Sequence, residues 1–283
     1  MVARNDIHWR LLTDRSGFLD HVIQTLGERI GQENYLAKRE IHWQTSAGVV
    51  MLLGDRPAGP DKRTEPCLVL NKRSLRVRQP GDLCFPGGSM APLIDPCLAS
   101  LFSLPFSSLG RWPYWKNWRQ THRRPSKSMS ILWATGLRES LEEMRLNPFG
   151  VRFLGPLPPR SLVMFKRTIY PMVGWINRQK RFFPNWEVEK VVRLPLKDLL
   201  NPKYYSRYRL QIGKDAGQGP AASIQHYPCF RLQAPDNQEI LWGATYRITL
   251  DFLRLVFGFE PPALAALPVV DGVLDETYLT GQK

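Results

Sequence analysis

Apolar and polar positions follow two periods along this chain. Across residues 17–30, Phe18, Val22, Ile23, Leu26 and Ile30 recur at steps of three and four, the spacing of one buried helix face. Residues 47–53 form a short apolar run closed by Gly54, and residues 67–70 form a second. The polar Pro/Gly/Lys-rich stretch 55–66 between them predicts two neighbouring strands joined by a loop. Further strand-like runs lie at 163–173 and 188–194, followed by a Gly-rich loop at 213–219. Ala244, Ile248, Phe252, Leu255 and Val256 then mark a second packed helix. Residues 89–130 break both periods with five prolines and the aromatic run Arg111-Trp-Pro-Tyr-Trp-Lys-Asn-Trp-Arg, so they are expected to be an insertion with short helical pieces. The expected organisation is an N-terminal helical segment (1–44), a body (45–260) interrupted at about 89–130, and a loose tail (261–283).

Chemistry concentrates in Trp133-Ala-Thr-Gly-Leu-Arg-Glu-Ser-Leu-Glu-Glu-Met-Arg-Leu146. On a helix turning about 100° per residue, Glu139, Glu142 and Glu143 fall at about 0°, −60° and +40°, while Ala134, Leu137, Leu141 and Met144 point the other way. Three carboxylates on one face repel one another, and a hard divalent cation such as Mg²⁺ or Mn²⁺ would offset that. The plain alternative is a solvated acidic face paired with Arg138 and Arg145. Upstream, Gln79-Pro-Gly-Asp-Leu-Cys-Phe-Pro-Gly-Gly88 ends in a turn whose glycines allow close backbone approach.

Composition narrows the partners. The 39 Lys and Arg against 25 Asp and Glu give a net charge of +14, which favours polyanions: a phosphorylated ligand, nucleic acid or anionic lipid. Hydrophobic residues at 43% suffice for a core, and no apolar run has the ~20 residues of a membrane helix. The beginning of the chain shows no apolar segment resembling a secretory signal. Cys67, Cys84, Cys97 and Cys229 are too scattered for a zinc site or disulfide framework, so a reduced cytoplasm is the expected location. His122 and His226 are read as structural or surface residues, and no Ser-His-Asp arrangement is evident.

Together these segments resemble the Nudix hydrolase signature, G-x5-E-x7-R-E-U-x-E-E-x-G-U with U apolar. Arg138-Glu139-Ser140-Leu141-Glu142-Glu143-Met144-Arg145-Leu146 matches its second half, with Ser140 in place of an apolar residue and Arg145 in place of glycine. Gly88 matches the leading glycine, but Arg138 follows it 36 residues later than the pattern has it, the excess being the aromatic insertion. Asp95 lies one place beyond the position of the pattern's first glutamate and is not relied on. Leu70-Asn-Lys-Arg-Ser74 with the Phe-Pro-Gly-Gly turn looks like the motif of the coenzyme A pyrophosphatase branch, Gln79 standing where that motif has histidine. Residues 186–200 and 240–248 are also similar to that branch.

The resemblance implies an α/β/α sandwich with a mixed central sheet, and metal-dependent hydrolysis of a diphosphate linked to a nucleoside. It implies Glu142 and Glu143 as principal metal ligands and Glu139 as a further ligand or the group that orients water. Arg138 would pair with a box glutamate, and Gly87 and Gly88 would bring backbone beside the site. Arg73 and Arg78 are the candidates for phosphate contacts, and Glu187 for an additional carboxylate or a plain solvent-facing residue. Coenzyme A or its acyl form, giving 3′,5′-ADP and 4′-phosphopantetheine, suits the positive charge. Another nucleotide (a dinucleotide, nucleotide sugar or capped RNA) and a catalytically silent nucleotide- or RNA-binding module are the other readings. Trp112, Trp115 and Trp118, three apart, either form a lid that stacks on an adenine or lines an acyl channel, or pack the insertion onto the body or onto a second subunit of a homodimer.

Overall fold

The computed structural model describes residues 11–33, 36, 41–58, 63–162, 166–212, 223–233, 238–274 and 278. The helix expected at 17–30 is α1 (Arg15–Glu33), and its apolar stripe of Phe18, Val22, Ile23, Leu26 and Ile30 is buried. The two apolar runs are β1 (Ser46–Pro57) and β2 (Thr64–Arg73), paired antiparallel with Leu52 opposite Val69. The loop predicted at 213–219 lies outside the described residues.

Beyond Leu52 and Val69 the two strands part, and residues 83–89 fill the fork. The short β3 (Leu83–Cys84) pairs with Asn71 and Lys72 of β2, and β4 (Gly87–Ser89) pairs with Ala47, Gly48 and Val49 of β1. On the far side β1 runs parallel to β7 (Arg167–Ile176), which carries β5 (Val151–Pro156) and the short β6 (Arg160–Leu162). The outer edge of β2 takes β8 (Val188–Pro195). The sheet is therefore mixed, as expected. It is covered on one face by α1 and α6 (Gly243–Phe257), where Phe18 lies edge-on to Trp175 and stacks with Phe257.

The other face carries the insertion and the glutamate helix. The insertion holds α2 (Asp95–Phe102) and α3 (Trp115–Thr121), and the glutamate helix α4 spans Arg123–Met144, beginning well upstream of Trp133. Of the two readings of the tryptophans, packing onto the body holds and stacking on a ligand does not: Trp112, Trp115 and Trp118 are buried within this one chain. Trp112 packs edge-on to Phe153, and its indole N–H donates to the Leu154 carbonyl at 3.2 Å. Their three-residue spacing serves packing, since large indoles gain most by leaving water.

The end of the chain also departs from expectation. A second sheet, ordered β11-β10-β9-β12, comprises β9 (Tyr205–Ile212), β10 (Ser223–Gln233), β11 (Gln238–Leu241) and β12 (Val269–Leu274). β12 lies in the segment 261–283 that was expected to be a loose tail, and it runs parallel to β9. Its exposed and half-buried residues alternate, so it has no continuous apolar run to announce it. The sheets are tied by Lys72 and Lys190, whose ammonium groups lie 3.3 and 2.7 Å from the buried Glu239 carboxylate. The short α5 (Leu196–Leu199) links β8 to the second sheet. Among the described residues no helix is long and apolar enough to cross a membrane.

Candidate active site

The geometry of α4 decides how its three glutamates differ. The buried side includes Trp133, Leu137, Ser140 and Met144, whereas Leu141, expected in the core, is 40% exposed. By the angles above, the core direction is therefore rotated by some tens of degrees toward Ser140, which carries Glu143 down to the sheet and leaves Glu142 outermost. Exposure follows that rotation, with the Glu142 side chain 54% exposed and that of Glu139 only 19%. Ser140 fits where an apolar residue was expected because its hydroxyl donates to the Gly136 carbonyl at 2.6 Å. At Gly48 a Cβ would sit 2.3 Å from the Leu132 carbonyl oxygen, so glycine there lets α4 press onto β1.

Arg145 ends the helix in the left-handed conformation (φ 55°), and the Leu146 N–H returns to the Ser140 carbonyl at 3.3 Å. This is the glycine place of the signature. Arginine occupies it at a steric cost, because its Cβ crowds the following carbonyl.

Around the fork, side chains from four segments meet the glycine backbone of β4. The Asn71 amide on β2 donates to Glu143 Oε2 at 2.7 Å, and the Gly87 N–H also donates to the Glu143 carboxylate. Gly88 lies against Glu139: a Cβ there would fall 2.5 Å from Oε1. Burial pushes Glu143 up to about 8, with the negative charges of Glu139 and Glu187 adding to the rise and the Asn71 hydrogen bond opposing it. Burial likewise raises Glu139, against the pull of Arg138. The Cys84 thiol is pushed up to about 12 by burial and by Glu143, with Arg73 on its other side. Glu187, in the segment entering β8, thus belongs electrostatically to the acidic group.

Arg138 holds this group in place. Its Nε donates to Asp95 Oδ1 at 2.8 Å and its Nη2 to the Ser89 carbonyl at 3.0 Å, while Nη1 lies 3.0 Å from Glu139 and 3.2 Å from Glu142. Burial alone would lower the guanidinium's pKa, but the Asp95, Glu139 and Glu142 carboxylates hold it above its ordinary value. Asp95, set aside on sequence spacing, is the fully buried partner, and it also accepts from Thr135 Oγ1 and the Ala91 N–H, each at 2.7 Å. The one-residue offset is absorbed because the carboxylate reaches Arg138 from α2 across the insertion.

The expected phosphate-binding arginines divide. Arg73 stands at the fork beside Cys84, its Nε donating to the Arg78 carbonyl at 2.7 Å. Arg78 is exposed and enters this arrangement through that carbonyl. Gln79 donates from Nε2 to Tyr278 Oη at 3.4 Å. Asn71 lies inside the Leu70–Ser74 motif but was given no role from sequence. Its other signal was a polar residue closing an apolar strand run.

Every donor oxygen here is hard, which suits Mg²⁺ or Mn²⁺. Among the described residues, no three acidic, histidine or cysteine side chains stand arranged to close around an ion. The site nevertheless fits a cation: among the described residues the half-buried Glu143 has no cationic partner, and the Oδ1 of the fully buried Asn71 beside it has no hydrogen-bond partner. Mg²⁺ at phosphate sites commonly uses one or two carboxylates and takes its other ligands from water and the substrate phosphates.

No family model matches the chain. An uncharacterized Nudix hydrolase, NudL, of Pectobacterium atrosepticum is 29% identical over 213 residues, covering 74% of this chain and 82% of its own length. The mouse peroxisomal coenzyme A diphosphatase NUDT7 is 25% identical over 201 residues, covering 69% of this chain and 66% of its own. Among solved structures, an Ap4A hydrolase of C. elegans superposes with a TM-score of 0.34 at 11% identity, covering 55% of this chain and 83% of that one. The box on α4 and these sequence matches agree in what they resemble: the chain is similar to Nudix hydrolases, among them a coenzyme A diphosphatase.

Proposed function

We propose that the chain hydrolyses the phosphoric anhydride of a nucleoside diphosphate-linked substrate with Mg²⁺ or Mn²⁺, and that the substrate is coenzyme A or an acyl-coenzyme A. The carrying observation is the half-buried Glu143, held by Asn71 and Gly87 beside Glu139 and Glu187 with no cationic side chain of the described residues paired to it. When bound, the metal neutralises charge that grows on the phosphate oxygens and favours attack by water. Glu143 and Glu142 would hold it, and Glu139 would orient the attacking water and take its proton as the phosphorus–oxygen bond of the anhydride breaks. Arg138, fixed by Asp95, keeps Glu139 and Glu142 in position. Arg73 supplies positive charge for a phosphate at the fork, in keeping with the net charge of +14. The products are 3′,5′-ADP and 4′-phosphopantetheine or its acyl form.

One observation favours a silent nucleotide-binding module instead: Arg138 Nη1 already neutralises Glu139 and Glu142. A panel of diphosphates incubated with Mn²⁺ or Mg²⁺, with product identification, decides between them. Coenzyme A should be cleaved, and Glu142→Gln and Glu143→Gln should each lower turnover by about tenfold or more. Failure on every substrate, with ligand affinity undiminished in Glu142→Gln, would establish the binder. Cleavage of another nucleotide in preference would correct the substrate alone.

A further inference from the structure

We infer that Asn71 is a positioning residue of the metal site, and that its side-chain oxygen accepts a hydrogen bond from a water bound to the cation. The inference rests on the hydrolase reading and adds a residue to it. Asn71 is fully buried on β2, where its Nδ2 reaches Glu143 Oε2 at 2.7 Å and its Oδ1 finds no partner among the described residues. A buried amide oxygen left unpaired is costly, so a residue kept for packing alone would be better served by an apolar side chain.

The strand register gives Asn71 its reach. It pairs with Cys84 on one side and Val191 on the other, at the fork where β1 and β2 separate. Its side chain therefore enters from the sheet while Glu143 descends from α4. Because Asn71 cannot ionise, it fixes the Glu143 rotamer without adding charge to an already acidic group. With Nδ2 committed to Glu143, Oδ1 is left to meet a donor. A water polarised by a divalent cation supplies one, the outer-sphere contact that metal sites use to orient their ligands.

The test compares Asn71→Thr with Asn71→Val, side chains of nearly equal shape that differ in a hydroxyl able both to donate and to accept. Mn²⁺ binding is read from the free-ion electron paramagnetic resonance signal without substrate, and folding from thermal melts. N71V should bind Mn²⁺ between about 10- and 100-fold more weakly than the wild type, with N71T recovering much of the loss. If either β-branched variant does not fold, Asn71→Ser and Asn71→Ala give a smaller pair with the same contrast. Equal Mn²⁺ affinity within a folded pair would overturn the inference. If the wild type binds Mn²⁺ and turns over while the pair shows no contrast, only the role of Asn71 falls; if the wild type binds no Mn²⁺, both readings fall.

Discussion

Replacing Glu143 by glutamine should stabilise the metal-free protein while removing its activity. A glutamate carboxyl ordinarily titrates near 4.5, and burial raises that of Glu143 to about 8. The unfolded chain therefore gives up this proton first, and folding must either keep it or bury a charge. The stability that protonated Glu143 provides is whole below pH 4.5 and drains away as pH rises toward 8. Linkage puts the cost of that lost proton at roughly 4 kcal/mol at pH 7.5 and under about 1 kcal/mol at pH 5. Relaxation of the site lowers the first figure, so Glu143→Gln should gain about 2–4 kcal/mol at pH 7.5, or roughly 3–7 °C in melting temperature. Glutamine keeps the acceptor for the Gly87 N–H, and its own amide N–H can donate to Asn71 Oδ1 once that amide flips. The assay is thermal and urea unfolding in EDTA between pH 5 and 8.5, repeated with Mn²⁺, which should raise the wild type at pH 7.5–8 and leave the variant unmoved. A wild type whose stability is flat from pH 5 to 8, or a variant no more stable than it at pH 7.5, would refute the reasoning.

Gly88→Ala should retain the fold but lose about a hundredfold in turnover, measured as kcat, because the new Cβ meets the Glu139 carboxylate at 2.5 Å. Trp112→Ala should cost about 3–5 kcal/mol in urea unfolding. It should leave KM unchanged, since the indole packs on Phe153 instead of facing the fork. Arg145→Gly should add about 0.5–1 kcal/mol by relieving the left-handed arginine at φ 55°, with kcat unaltered.

The local part of this molecule is written in its periodicity. Three glutamates on one face of an amphipathic helix, the two apolar runs that become β1 and β2, and the stripe of α1 follow from spacing alone, because helix and strand direct side chains at fixed intervals. Arg145 also sits where the signature has its glycine, and the chain does turn left-handed there. What tertiary structure decided is how far each carboxylate sinks. Helical spacing spread Glu139, Glu142 and Glu143 across one acidic face, but packing rotates α4 toward Ser140, half-burying Glu143 and exposing Glu142. Asp95 meets Arg138 across 43 residues and Asn71 meets Glu143 across 72, contacts that no local period encodes. The tryptophan run carried no sign of whether it faced a ligand or the core, and β12 gave no apolar run from which to read a strand. Burial belongs to the assembled layers: a side chain's direction is local, but what lies opposite it depends on segments far away in the chain.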